Sequence, residues 1–136
     1  MNAVDTNVLA RFFINDADDP EAAKQRPAAI AALTGKVYVP VSVVLEFEWV
    51  MRGFYALSRK DIQRVFESLC GLQNVQIENR SSVLAALNAY QRGLDFADAL
   101  HLARADSCSA FLSFDRRLKK GANAAGLSPV VETPKA

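Results

Sequence analysis

The sequence is short of cysteine, of long apolar runs and of excess charge. Cys70 and Cys108 are its two cysteines, and they lack the spacing of a metal-ligating pair. No apolar run reaches the ~18 residues that a membrane span needs, and the start has neither the basic nor the long apolar region of a signal peptide. The sequence therefore predicts a cytoplasmic protein with no membrane segment, whose two thiols are reduced and lie in the core.

The net charge of +1 is close to neutral, unlike that of a strongly basic nucleic-acid-binding domain. The basic residues are nevertheless grouped around two acidic positions, Asp98 and Asp115. They are Arg92, Arg104, Arg116, Arg117, Lys119 and Lys120. A basic rim around an acidic pocket suits a phosphodiester substrate, although an ordinary solvated helix face explains each of these residues equally well.

The length of 136 residues suits one domain, 1–136, which can bury roughly two-thirds of its unfolded surface. Apolar periodicity and turn residues predict strands alternating with helices. The predicted strands cover residues 1–4, 36–40, 74–78, 110–113 and 129–131. The predicted helices cover residues 6–14, 20–33, 42–51, 81–92, 95–107 and 116–124, and one more begins at Ser58. Ser42 and either Ser81 or Ser82 are the predicted caps of two of them. This alternation predicts an α/β fold, a three-layer α/β/α single domain with a mostly parallel sheet.

Two acidic residues follow apolar strands of this predicted sheet. Asp5 comes after residues 1–4, and Asp115 comes after residues 110–114. In α/β sheets, active sites lie beyond the carboxyl ends of the strands. If the two strands are neighbours, both carboxylates face the same crevice.

Two further acids are predicted on helices. Asp98 lies one turn after Asp95, so this pair shares a helix face. Glu46 lies among apolar neighbours, and a glutamate on the apolar side of a helix is costly unless something neutralises it. We expect Glu48 to face solvent instead.

Simple structural roles are the alternative for the aspartates. Asp5 is suited to cap a helix, Asp115 to a turn, and Asp95 or Asp98 to a helix N-terminus. Taken together, four acids at one edge of a sheet would repel each other unless cations neutralised them. Mg²⁺ or Mn²⁺, which prefer oxygen ligands, are the predicted occupants.

Four short motifs in this order resemble those of a known family. They are Asp5-Thr6-Asn7-Val8-Leu9, Val43-Val44-Leu45-Glu46-Phe47-Glu48-Trp49-Val50, Asp95-Phe96-Ala97-Asp98-Ala99-Leu100 and Ser113-Phe114-Asp115. The set, which runs from Met1 to about Gly126, resembles the PIN-domain ribonucleases and most closely the VapC-type toxins of toxin–antitoxin pairs.

The resemblance implies a metal-dependent endoribonuclease. Asp5, Glu46, Asp98 and Asp115 match the acidic quartet of the family, which holds one or two Mg²⁺ or Mn²⁺ ions and uses metal-activated water to hydrolyse RNA. Asp5 and Asp98 match the main metal ligands, and Asp115 matches a residue that acts through water. Asp95 matches a peripheral acid of the same motif. Thr6 and Asn7 match supporting residues, and Ser113 stands where the family often has Thr.

The resemblance also implies partners: an RNA substrate such as a tRNA or rRNA, a cognate antitoxin protein and a second copy of the chain in a homodimer. Phe12, Phe13, Ile14 and the helix Ala22–Leu33 are candidates for the apolar surface involved. For the single histidine, His101, we expect a structural or exposed role.

The residues are compatible with other interpretations. Trp49, Phe47, Phe54 and Tyr55 suit base stacking, but their spacing favours core or interface positions. An aspartate-based phosphatase would use Asp5 as nucleophile, but Asn7 replaces the second Asp of its Asp-x-Asp signature. A catalytically idle domain that binds RNA or a protein partner is the remaining alternative.

Overall fold

The computed structural model describes all 136 residues, and its backbone alternates strand and helix along the chain. The five strands are β1 (Asn2–Ala3), β2 (Val37–Val39), β3 (Val75–Ile77), β4 (Ala110–Leu112) and β5 (Val130–Glu132). The seven helices are α1 (Thr6–Phe13), α2 (Pro20–Ala32), α3 (Val41–Gly53), α4 (Arg59–Gly71), α5 (Arg80–Gln91), α6 (Phe96–Ala103) and α7 (Arg116–Ala124). Every predicted element is present, and none of the helices is long and apolar enough to cross a membrane.

Four helices begin at an aspartate cap. The carboxylate of the cap accepts a hydrogen bond from a backbone N–H of the first turn, which would otherwise lack a partner. These caps are Asp5 of α1, Asp19 of α2, Asp95 of α6 and Asp115 of α7. Ser58 caps α4 in the same way, as predicted.

Three predicted helix boundaries are wrong. Helix α3 begins at Val41 rather than after Ser42, because the Val41 N–H donates to Glu78 Oε1 at 2.8 Å. That cap comes from a residue distant in sequence, so local pattern does not show it. Helix α5 begins at Arg80, which puts the predicted caps Ser81 and Ser82 inside it. Helix α6 ends at Ala103, where residues 104–108 leave the helix in turns.

The chain divides into two compact units, residues 1–80 and 81–136. In the first unit, β1, β2 and β3 form a parallel sheet in that order. Strand β1 was predicted to be buried, but Asn2 and Ala3 are exposed and burial begins at Val4. In β2, Val37 and Val39 are inaccessible to solvent.

Aromatic packing holds α1, α3 and α4 together in the first unit. The ring of Phe47 lies 6.1 Å from that of Phe13 and 5.8 Å from that of Phe66, centroid to centroid. Phe47 is therefore a core residue. Trp49 and Phe54, in contrast, are 61% and 70% exposed.

In the second unit, β4 and β5 form a parallel pair. Its core contains Leu102, Leu118, Ala122 and Val131, against which Phe111 packs. Strand β1 is hydrogen-bonded only to β2 and β4 only to β5. The strands that precede Asp5 and Asp115 are therefore not hydrogen-bonded neighbours.

Both cysteines are free thiols. Cys70 is partly buried, and this burial raises the pKa of its thiol, an effect that Arg80 opposes and Glu67 reinforces. Cys108 is exposed, so its predicted place in the core is wrong.

Candidate active site

Asp5 lies immediately beyond β1, where the chain turns into α1. Its Oδ1 accepts the Val8 N–H at 3.1 Å, so the carboxylate caps the helix. The residue is exposed, and no hydrogen bond occupies Oδ2. The structural role predicted as the alternative is therefore present, and the second oxygen remains available for a ligand.

Glu46 projects from α3 and is held by α1. The hydroxyl of Thr6 donates a hydrogen bond to Glu46 Oε1. Thr6 is buried, whereas Glu46 is exposed. A buried hydroxyl thus fixes one oxygen of an otherwise accessible carboxylate, and the supporting role of Thr6 stays a prediction.

The prediction about the two glutamates of α3 is wrong. Glu46 does not lie on the apolar side of the helix, and Glu48 does, with only 3% of its surface exposed. Val44, Phe47, Glu48 and Met51 share one buried face at the i, i+3, i+4, i+7 spacing of a helix. Arg52, one turn later, neutralises the buried carboxylate through its Nε at 2.9 Å.

Asp98 lies in the first turn of α6, and its side chain has no hydrogen-bond or ion-pair partner. Its backbone N–H donates to the capping carboxylate Asp95 Oδ2 at 3.1 Å. Burial raises the pKa of the Asp98 carboxyl, and the carboxylates of Asp95 and Asp115 raise it further. His101, which is exposed as expected, opposes this shift. Asp98 is therefore close to two other carboxylates and forms no salt bridge with a cation.

Asp115 caps α7 in the same unit. Its Oδ1 accepts the N–H groups of Arg117 at 2.9 Å and Leu118 at 3.1 Å. The hydroxyl of Ser113 accepts the Asp115 N–H at 2.9 Å, so Ser113 helps to fix this backbone. Asp115 is thus a helix cap and not a turn residue, and its Oδ2 has no hydrogen-bond partner.

The chemistry of these carboxylates fits a hard divalent cation. Asp98, Asp95 and Asp115 repel each other in their ionised forms, as the raised pKa of Asp98 records. A bound Mg²⁺ or Mn²⁺ would remove that repulsion, with the free carboxylate oxygens as its ligands. The structure does not bring three or more His, Cys, Asp or Glu side chains together as a group that could hold a metal ion.

The structure brings the predicted residues together in two sets. One set joins Thr6 to Glu46, with Asp5 next to Thr6 in the chain. The other set groups Asp95, Asp98 and Asp115. Asn7 is exposed, makes no hydrogen bond through its side chain and faces a cavity beside Asp5.

Sequence reasoning missed two residues near Asp5. Arg11 and Gln25 line the same cavity, and their side chains are hydrogen-bonded to each other. The sequence does contain a signal for Arg11, because it is the single basic residue of α1 and lies one turn after Asn7, on the same helix face.

Comparison with known proteins identifies the family of the chain. The PIN domain family profile matches residues 3–124, which is most of the chain. A VapC ribonuclease from Aquifex aeolicus (strain VF5) is 27% identical over 123 residues, an alignment that covers 88% of this chain and 91% of the relative. The resemblance drawn from the four motifs is confirmed. So is the predicted α/β/α fold with a mostly parallel sheet. The chain belongs to the PIN domain family.

Proposed function

We propose that this protein is a metal-dependent endoribonuclease and the toxin of a toxin–antitoxin pair. The observation that carries the proposal is the Asp98 carboxyl, which is partly buried near the carboxylates of Asp95 and Asp115 and forms no salt bridge. Structural carboxylates are normally paired when they are buried, as Glu48 is with Arg52. Asp98 lacks such a partner and belongs to a PIN domain. We therefore infer that a cation bound as a cofactor neutralises it.

Asp5 and Asp98 are the residues that we assign to hold the cation. Each has at least one carboxylate oxygen that no protein donor occupies. When bound, Mg²⁺ or Mn²⁺ lowers the pKa of a coordinated water and offsets the negative charge of the scissile phosphate. One or two ions are compatible with the four proposed acids.

Glu46 and Asp115 are the residues that we assign to orient water. The Glu46 carboxylate is fixed by the Thr6 hydroxyl, and that of Asp115 by the backbone N–H groups of Arg117 and Leu118. Fixed acceptors hold an attacking water in line with the phosphorus at little entropic cost. We also assign Glu46, which is exposed, as the acceptor of a proton from that water.

The basic residues of α7 are the proposed contacts to the RNA backbone. Arg116, Arg117, Lys119 and Lys120 follow Asp115 directly, and all four are exposed. Only Leu118 among residues 116–120 is buried, so this helix presents its cations to solvent. RNA phosphates are their natural counterions.

Cleavage of total cellular RNA tests the proposal. We expect discrete fragments with Mg²⁺ or Mn²⁺, none with EDTA, and a rate at least about 100-fold lower for Asp98→Asn. Asp106→Asn is the matched control, because Asp106 is an exposed aspartate of the same unit outside the proposed site. The control should cleave like the unaltered protein.

Two results would decide against the nuclease. One is the absence of cleavage with either metal, from protein that is folded and free of any bound partner. The other is equal cleavage by Asp98→Asn and Asp106→Asn, which would point to a contaminating ribonuclease. The first result would favour the domain that only binds RNA or a protein partner.

Toxicity and partner binding form the second part of the proposal. A VapC ribonuclease relative supports this part. We expect induced expression to arrest a bacterial host, expression of Asp98→Asn to leave growth unchanged, and co-expression of the cognate antitoxin to restore growth. Phe12, Phe13 and Ile14, which are half-buried, and helix α2 are the proposed apolar contacts to the antitoxin or to a second copy of the chain. Light scattering of the purified protein tests the homodimer.

A further inference from the structure

A cavity of about 380 Å³ lies between α1 and α2, directly beside Asp5. Asp5, Asn7 and Arg11 line it from α1, and Gln25, Ala28 and Ala32 line it from α2. Its volume lies within the range of small-molecule sites. The alanine side chains of α2 make part of its lining apolar, and the side chains of Asp5, Asn7, Arg11 and Gln25 make the rest polar.

Neutral groups hold the guanidinium of Arg11 in this cavity. Its Nε donates to Gln25 Oε1 at 3.0 Å, and its Nη1 donates to the Tyr55 hydroxyl at 2.8 Å. Gln25 is fixed in turn, because its Nε2 donates to Glu21 Oε1 at 2.9 Å. The chain Glu21–Gln25–Arg11–Tyr55 thus orients the cation.

No carboxylate is paired with Arg11. The second N–H of Nη1 and both N–H groups of Nη2 have no partner. Because glutamine and tyrosine orient the group without neutralising it, Arg11 keeps its full positive charge. The free N–H groups of a planar guanidinium are suited to bind an oxyanion, and two oxygens of a phosphate can accept two parallel hydrogen bonds from them.

We propose that Arg11 is a substrate-positioning residue that binds an RNA phosphate in the cavity between α1 and α2. The inference rests on the proposed nuclease function and extends it. Asp5 forms part of the same wall, so the bound phosphate belongs to a nucleotide next to the scissile bond. The free amide of Asn7 faces the same space and is placed to contact the sugar or base of that nucleotide.

A paired substitution separates this role from a purely structural one. In the double variant Glu21→Gln, Gln25→Glu, a carboxylate moves by one helical turn and comes to face Arg11. The hydrogen bonds of the chain and the net charge of the protein are both kept. If Arg11 serves only to connect α1 to α2, the double variant should be at least as stable as the unaltered protein and should bind RNA equally well.

The readout is binding of a short fluorescein-labelled single-stranded RNA of mixed sequence, measured by polarisation in EDTA. We expect the double variant and Arg11→Gln each to bind about tenfold more weakly. The slope of log affinity against log salt should become about 0.7 shallower for Arg11→Gln, the value for one lost phosphate contact. Arg11→Lys should recover part of the affinity, because it restores the charge without the fork.

Arg64→Gln is the matched control. Arg64 is an exposed arginine of the same unit whose Nη1 lies 3.7 Å from Asp61 Oδ1, and it does not line the cavity. This control should bind RNA within about twofold of the unaltered protein. Thermal melting of every variant ensures that the comparisons are made on folded protein.

The outcomes distinguish this inference from the proposed function. Unchanged RNA affinity in the double variant and in folded Arg11→Gln would overturn it even where the protein cleaves RNA, and would leave the cavity to a protein partner. Arg11-dependent binding without any metal-dependent cleavage would support the phosphate site while the nuclease proposal failed. With cleavage present, Arg11→Gln should raise KM and leave kcat within about twofold, as expected for lost uniform binding.

Discussion

Single hydroxyl groups position the acids of the proposed site. Thr6 donates to Glu46, and Ser113 accepts from the backbone of Asp115. The Ser113–Asp115 contact is local, because two positions separate the residues, whereas 40 positions separate Thr6 from Glu46. The acidic residues themselves could be identified from sequence because ordered motifs carry them. The partner of Glu46 depends on how distant segments pack, and the faces of Glu46 and Glu48, which also depend on that packing, were predicted wrongly.

Replacement of Thr6 by Val removes the donor to Glu46 and preserves the shape of the side chain. We expect RNA cleavage to slow by roughly tenfold or more, since a hydrogen bond to a charged group is worth about 1.5–3 kcal/mol. Thr6→Ser keeps the hydroxyl and should retain most of the activity. Single-turnover rates, with Thr34→Val as a control at an exposed threonine, provide the measurement. Full activity in Thr6→Val would show that Glu46 needs no positioning.

The raised pKa of Asp98 makes the metal-free protein sensitive to pH. The folded state binds this proton more tightly than the unfolded state, so the stability gained from it is present at low pH and is lost as pH rises through the folded pKa. In EDTA, the melting temperature should therefore fall more steeply for the unaltered protein than for Asp98→Asn between about pH 4 and 7. If the melting temperatures of the two proteins change with pH in parallel, the pKa of Asp98 is not raised. The same proton competes with metal, so metal affinity should weaken on acidification.

At the scale of elements, the aspartate caps show how much of the fold is encoded locally. Helices α1, α2, α6 and α7 begin at an Asp whose carboxylate binds backbone N–H groups, and apolar periodicity marks their lengths. Their positions could therefore be predicted. The start of α3 could not, because it depends on Glu78 from beyond β3. Strand pairing could not either, because it depends on contacts between segments far apart in the chain.

The caps also provide a matched test of the proposed metal ligand. Asp5 and Asp19 play the same structural role, but only Asp5 belongs to the proposed site. Asn caps helices about as well as Asp, so Asp5→Asn and Asp19→Asn should each change stability by less than about 0.5 kcal/mol. Cleavage should be lost in Asp5→Asn and unchanged in Asp19→Asn. Equal activity of the two variants in a metal-dependent assay would remove Asp5 from the site.

At the scale of the whole molecule, the proposed quartet is divided between the two units. Asp5 and Glu46 belong to residues 1–80, and Asp98 and Asp115 belong to residues 81–136. The PIN domain profile extends over both units, which supports the proposal that all four acids serve one function. That residues 1–136 form a single domain stays a prediction. A nearly neutral net charge is compatible with RNA binding, because the acids are proposed to be neutralised by metal while the cations of α7 stay exposed.

Stabilisation by metal tests whether substitutions in either unit affect the same site. A ligand that binds only the folded state raises stability by about 2.7 kcal/mol at 100 times its Kd. Mn²⁺ should therefore raise the melting temperature of the unaltered protein. Asp5→Asn and Asp98→Asn should both abolish the increase, and Asp106→Asn should preserve it. If only one of these two variants abolishes the Mn²⁺-induced rise in melting temperature, Asp5 and Asp98 do not share the ion.

The exposure of Trp49 makes the protein its own optical probe. It is the sole tryptophan of the chain, and 61% of its surface meets solvent. Intrinsic emission excited at the indole band therefore reports on one position of helix α3 and on nothing else. A protein that covered this face would shift the emission to shorter wavelength. Unlabelled protein can thus report the arrival of such a partner.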